Sequence, residues 1–270
     1  MKMKTSSKIY TALVLLFLYA PIIVLIIFSF NSTKSTGVFK SFSFKWYIEL
    51  FNNKDIIGAL KRTLIVAALS SVIATIIGTV AAVGIDKMSN KWVKKSTLSV
   101  TNIPMMNPDI VTGISMMLMF VFVGRLFGQK SILGFQTLLI SHITFNLPYV
   151  ILSVLPKLKQ TDKHLSEAAQ DLGCTPVSAF FKVVIPSIAP GIITGMMMAF
   201  TLSLDDFIIS SFTTDTYQTL PIYIYSMTKK NVSPDINALS TIIFFAILFL
   251  LVLINVTQTR MEAKTKKRDL

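Results

Sequence analysis

The sequence holds one cysteine, Cys174, and two histidines, His142 and His164. A lone thiol forms no disulfide within the chain, and no Cys or His pattern has the spacing of a metal site. The two histidines lie far apart and read as ordinary polar residues. Charge is also scarce: 14% of the 270 residues are charged and 53% are hydrophobic. A soluble domain of this length needs far more polar surface, so that class is excluded. Acids are the scarcer sign, 13 against 26 Lys and Arg, for a formal charge of +13. Such an excess suits a nucleic-acid binder only when the bases gather in one patch. Here they stand at the ends of apolar runs. A phosphate-binding loop is missing too. Gly124–Ser131 superficially resembles one, but Gln129 interrupts its Gly-Lys-Ser core and the spacing is wrong. The chain is therefore expected to bind no nucleotide of its own.

What is abundant is long apolar sequence. Six runs are each about long enough to cross a ~30 Å hydrocarbon layer as helix. They are residues 9–30, 64–85, 103–127, 135–155, 188–209 and 236–256. The first is too long for the apolar part of a signal peptide, and no small-x-small cleavage site follows it, so it is read as a retained span. Lys and Arg set the orientation. With the N-terminus inside, the inner segments hold Lys2, Lys4, Lys8, Lys87, Lys91, Lys94, Lys95, Lys157, Lys159, Lys163, Lys182 and Arg260–Arg268, the larger share of the 26. The expectation is an all-α polytopic membrane protein: one transmembrane domain over residues 1–270, six spans, both termini cytoplasmic. The basic Arg260–Leu270 reads as a cytoplasmic anchor near anionic lipid.

Acids inside spans are the chemical signal. An ionised side chain at the bilayer centre costs about 2.5–3.5 kcal/mol on insertion scales, so it faces a partner, a cavity or a pathway. Asp109, Asp205 and Asp206 are the three so placed, and no Lys or Arg stands well within a span to pair with them. A cationic solute would supply the missing charge; the plainer reading is a helix cap or a partner-subunit contact. Asp109 follows Pro104 and Pro108, which break or kink helix and free carbonyls at membrane depth. It is expected near the inner side. Asp205 lies roughly 25 Å along its helix from Ile188, at about 1.5 Å per residue, so the acidic pair is expected toward the outer side. Neighbours on a helix point about 100° apart, so Asp205 and Asp206 cannot both face one axis. Ser203 shares a face with Asp206, and Thr201 with Asp205. An intramembrane aspartyl protease needs two carboxylates converging from different helices, and that arrangement is absent. A secondary transporter is disfavoured because no inverted repeat is apparent.

Between spans one and two, Phe42–Phe51 is amphipathic and aromatic. It reads as an interface segment, or as a place where Trp46 lines the mouth of a cation path.

Thr161–Pro186 is polar, and the topology puts it inside. It reads as two short helices at a corner. Asp162 caps the first, Gly173 stops it in the left-handed conformation, Thr175-Pro176 opens the second, and Pro186 ends it. Leu165, Ala168, Ala169 and Leu172 form its small apolar face. Taken as pattern alone, this is a connector on the membrane surface. Glu167-Ala168-Ala169, then Gly173, then Val183-x-Ile185-Pro186 resembles the EAA loop of ABC-importer permeases, with Val183 and Ile185 in place of the usual Ile and Leu. That resemblance implies the type I ABC-importer permease fold. It makes Glu167, Ala168, Ala169, Leu172 and Gly173 a coupling helix that docks on a cytoplasmic ATPase.

The runs Ser203-Leu-Asp-Asp, Thr219-Leu-Pro-x-Tyr-x-Tyr-Ser-Met, Val232-Ser-Pro-Asp-x-Asn-Ala-Leu and Pro108-Asp-Ile-Val resemble the spermidine/putrescine branch of that family. Iron, thiamine and other permeases share much of the same frame and stand as alternatives. The branch implies polyamine import, path-lining roles for Trp46, Asp109, Ser203, Asp205 and Asp206, and a bacterial inner-membrane location. It also implies a sister permease as heterodimer, two ATPase subunits carrying ATP and Mg, and an external binding protein. No catalysis, cofactor or metal is expected on this chain.

Overall fold

The computed structural model describes residues 5–33, 37–129, 132–162, 164–230 and 234–268. The Gly124–Ser131 loop ends outside this set, as do Lys2, Lys4 and Lys163 among the inner-segment lysines; side chains beyond 256 also lie outside it. Among the described residues there is no strand, only an isolated bridge between Asn31 and Phe42. The helices are α1 Thr5–Ser29, α2 Lys45–Asn52, α3 Lys54–Lys87, α4 Lys91–Met106, α5 Asp109–Leu126, α6 Phe135–Gln160, α7 Leu165–Asp171, α8 Pro176–Ala179, α9 Ile185–Asp205, α10 Ile208–Thr213, α11 Leu220–Lys230 and α12 Pro234–Arg268. Among the described residues five stretches are long and apolar enough to span a membrane: Ser7–Ser29, Lys54–Lys87, Asp109–Leu126, Phe135–Gln160 and Pro176–Asp205. A shorter apolar stretch, Asp235–Phe249, opens α12.

The chain divides into two compact units. The first comprises residues 1–58 and 223–252. Here the segment after α1 folds back on itself. Phe30 stacks on Phe42 with centroids 4.9 Å apart, Ser29 Oγ lies 2.7 Å from Tyr47 Oη, and the Trp46 indole donates to the Asn31 carbonyl at 2.6 Å.

The second unit comprises residues 59–222 and 253–270. Its core is small-residue helix packing. A Cβ on Gly78 of α3 would lie 2.7 Å from Val150 Cγ1 of α6, and one on Gly195 of α9 would lie 3.1 Å from Val150 Cα. Two glycines on different helices thus admit one valine of α6 between them. In lipid, where apolar burial drives little association, such close approach is the main source of helix attraction. Val154, Ile188, Ala74, Ala82 and Ala199 complete the contact, all fully buried or nearly so.

Three breaks differ from the sequence reading. The third span starts at Asp109 rather than Ile103. Pro108 holds Asn107 in an extended conformation, ψ 144°, so α4 stops at Met106. Pro104 is carried inside α4 without ending it. The fifth span stops at Asp205, because Asp206 is extended, ψ 118°, and α10 restarts two residues later. Pro186 ends nothing. It sits in the first turn of α9, and the chain reaches it through a π-helical turn, Phe180–Val184, in which Ile185 N–H reaches back to the Phe180 carbonyl. A proline has no N–H and crowds the carbonyl four residues earlier; a widened turn ahead of it accommodates both.

Candidate functional site

The polar groups of the second unit gather where α9 breaks. Asp206 leaves the helix and its carboxylate turns onto the start of α10. Oδ2 accepts from Ser210 N–H at 2.7 Å and from Ser210 Oγ at 2.8 Å, and Oδ1 accepts from Ile209 N–H at 3.2 Å. Capping a helix start this way satisfies backbone donors that have no intrahelical partner. His142 of α6 stands behind it, 2% exposed, with Nε2 3.0 Å from Ser210 Oγ and 3.5 Å from Asp206 Oδ2. The reading of an acid without a basic mate therefore fails at Asp206: its mate is His142 of the same chain. His142 is likewise no bystander. Both neighbours approach the same ring nitrogen, so this is not the relay of a hydrolase triad, which uses the two nitrogens separately.

Ser203, one turn earlier, is 3% exposed and ties three helices together. Its Oγ lies 2.9 Å from Ser70 Oγ of α3 and accepts from Asn146 Nδ2 of α6 at 2.8 Å. It belongs to the packed wall rather than to an open surface. Asp205 and Asp109 behave differently: both are exposed. Asp205 lies within electrostatic range of Asp206 and of Asp109, and Asp109 within range of Tyr149. The expected separation in depth is thus corrected. A Cβ on Gly113 of α5 would meet Phe212 of α10 at 3.0 Å and the Ile209 backbone at 3.5 Å. That contact brings the start of α5 level with the break after Asp205. Among the described residues no Lys or Arg forms an ion pair with any of the three acids.

Trp46 lies in the first unit and is 1% exposed, with Lys45 Nζ 5.2 Å from its ring centroid. Its indole closes the fold of residues 29–52 and offers no open face to a solute. Within residues 29–52 the exposed aromatic side chains are Phe39, Phe42, Phe44 and Phe51.

The loop Thr161–Pro186 has the expected corner with one changed cap. Asp162 does not cap α7. Its Oδ1 takes the His164 N–H at 3.0 Å, and His164 occupies the cap position with Nδ1 2.8 Å from Glu167 Oε2. At the far end Gly173 has φ +89°, with Gly173 N–H on the Gln170 carbonyl at 2.8 Å and Cys174 N–H on the Ala169 carbonyl at 3.0 Å. This is the paired Schellman closure. Thr175 caps α8 through Ser178 N–H, with Pro176 first in the helix. Ala169 is buried, whereas Glu167, Ala168 and Leu172 are exposed, Leu172 at 88%.

Sequence reasoning missed His142. The signal was present, since a histidine inside an apolar span is itself an intramembrane ionisable group.

Known proteins resemble this chain throughout. A family model described as binding-protein-dependent transport system inner membrane component matches residues 74–267. The putrescine transport system permease protein PotI of Escherichia coli K12 is 38% identical over 232 residues, covering 86% of this chain and 83% of that one. The spermidine/putrescine transport system permease protein PotC of the same strain is 39% identical over 251 residues, covering 93% and 91%. A PotC homolog of Mycoplasma pneumoniae is 30% identical over 231 residues, covering 82% and 79%. Among solved structures, a bacterial ABC transporter importing the acidic polysaccharide alginate aligns with TM-score 0.71 at 17% identity, covering 94% of each chain, and the MetNI methionine ABC transporter with 0.59 at 17%, covering 77% and 95%. The helical fold is thus a shared one, and the chain is a member of the binding-protein-dependent transport system inner membrane component family, the permeases of ABC importers.

Proposed function

We propose that the chain lines part of the translocation path of an ABC importer for polyamines such as putrescine and spermidine. The observation that carries this is the exposed pair Asp109 and Asp205, within electrostatic range of each other and without a Lys or Arg partner among the described residues. A flexible chain with two or more ammonium groups matches two carboxylates at one level. The names of the relatives, putrescine and spermidine/putrescine permeases, support the same cargo. The alginate importer shares the fold but carries a polyanion, so the fold itself is silent on cargo.

In this reading Asp109 and Asp205 meet the ammonium groups, while Asp206 and Ser203 build the wall behind them. The chain acts as one non-catalytic permease domain in the bacterial inner membrane, with both termini cytoplasmic. A sister permease completes the path, and an external binding protein delivers the solute. Two ATPase subunits carry ATP and Mg and push on the exposed Glu167, Ala168 and Leu172, with the buried Ala169 passing the push inward.

The test is uptake into vesicles holding the complete transporter. Radiolabelled putrescine and spermidine enter with ATP, and Asp205→Asn lowers kcat/KM about tenfold, the size expected for one charge-assisted contact. Unchanged uptake in Asp205→Asn removes the charge argument; no uptake by the wild type removes the polyamine reading.

A further inference from the structure

We propose that His142 is a positioning residue: by holding the Ser210–Asp206 pair it sets the break between α9 and α10 and so presents the Asp205 side chain to the solute path. The claim deepens the reading of Asp205 above and rests on it for the word path; its geometry stands on its own.

The hydrogen-bond count determines the roles. Asp206 is a carboxylate and only accepts. Ser210 has one hydroxyl proton, and at 2.8 Å from Asp206 Oδ2 it donates there. Its oxygen is then left as an acceptor toward His142 Nε2 at 3.0 Å, so Nε2 carries a proton. His142 is therefore a required donor in a chain that runs from α6 through the first turn of α10 to the residue where α9 ends. His142 and Ser210 are 2% and 0% exposed, so no water replaces the donor cheaply. A second tie from α6 reaches the other end of α10, where Thr137 Oγ1 donates to the Thr213 carbonyl at 2.7 Å. With α10 pinned at both ends to α6, the extended residue Asp206 has one arrangement. Asp205, its neighbour, is thereby turned out of the packed side.

Two variants separate positioning from bulk. His142→Gln keeps an N–H donor near the place of Nε2, whereas His142→Leu keeps volume and removes the donor. Ser210→Ala removes the relay from the other side and serves if His142→Leu fails to assemble. The readout is independent of cargo. Asp205→Cys is introduced in a Cys174→Ser chain, and the complete transporter in membranes is treated with aminoethyl methanethiosulfonate, a small cationic thiol reagent. The parent and the His142→Gln chain label at similar rates. His142→Leu and Ser210→Ala label about tenfold more slowly, the effect of losing one hydrogen bond in a charged network. Equal labelling with and without the donor, His142→Gln behaving as His142→Leu, or no labelling of the parent overturns the proposal. Because no polyamine enters this experiment, a transporter that carries another solute leaves its result readable.

Discussion

Asp205 and Asp206 are chain neighbours with opposite surroundings. One is exposed, and the other gives its carboxylate to two backbone N–H groups, a serine hydroxyl and a histidine. That divergence follows from where the helix ends, not from a 100° step along an unbroken one. The same local logic applies to Ser203. Its oxygen joins Ser70 and Asn146 across three helices, all with 3% exposure or less. Ser203→Ala should cost about 1 kcal/mol of stability, within the range of polar contacts between membrane helices. Reversible unfolding in mixed micelles measures it, and a variant as stable as the wild type contradicts the role in the wall. At this scale the acids were legible because a carboxylate in an apolar run is conspicuous. The pairing of Asp206 with His142 was not, since the two lie on different helices and meet only through the packing of α10 on α6.

The elements show how proline and glycine act by position. Pro108 breaks a helix, Pro104 rides within one, and Pro186 is approached through a widened turn. No rule applied to the letters alone separates these three outcomes, because each depends on whether neighbouring backbone absorbs the missing N–H. Gly173 is the opposite case. Its φ of +89° was readable from its place after an apolar helical face, because a left-handed residue is what closes such a helix. A Cβ there would meet nothing within 4 Å, so the cost of substitution is purely that of the backbone. Gly173→Val should therefore loosen the loop and uncouple ATP hydrolysis from uptake, whereas Gly173→Asn, which tolerates that conformation, should stay close to wild type. The ratio of solute moved to ATP hydrolysed in vesicles distinguishes them, and a normal ratio in Gly173→Val counts against the corner as the point of coupling.

At the scale of the whole molecule, the distribution of Lys and Arg predicts both termini on the cytoplasmic side. Single cysteines at positions 6 and 268 of a Cys174→Ser chain should react with a membrane-impermeant maleimide in inverted vesicles and not in intact cells. Labelling of either from outside reverses the orientation. Helix content, the apolar stretches and the glycine-closed corner follow from the sequence by itself, since hydropathy, caps and a left-handed glycine act through neighbours along the chain. Which acid is tied into the packed wall, which histidine holds it, and how close Asp109 comes to Asp205 were decided only in three dimensions. Those facts depend on glycines of α3, α5 and α9 letting distant backbones approach, and close approach between remote segments leaves no periodic trace in the letters.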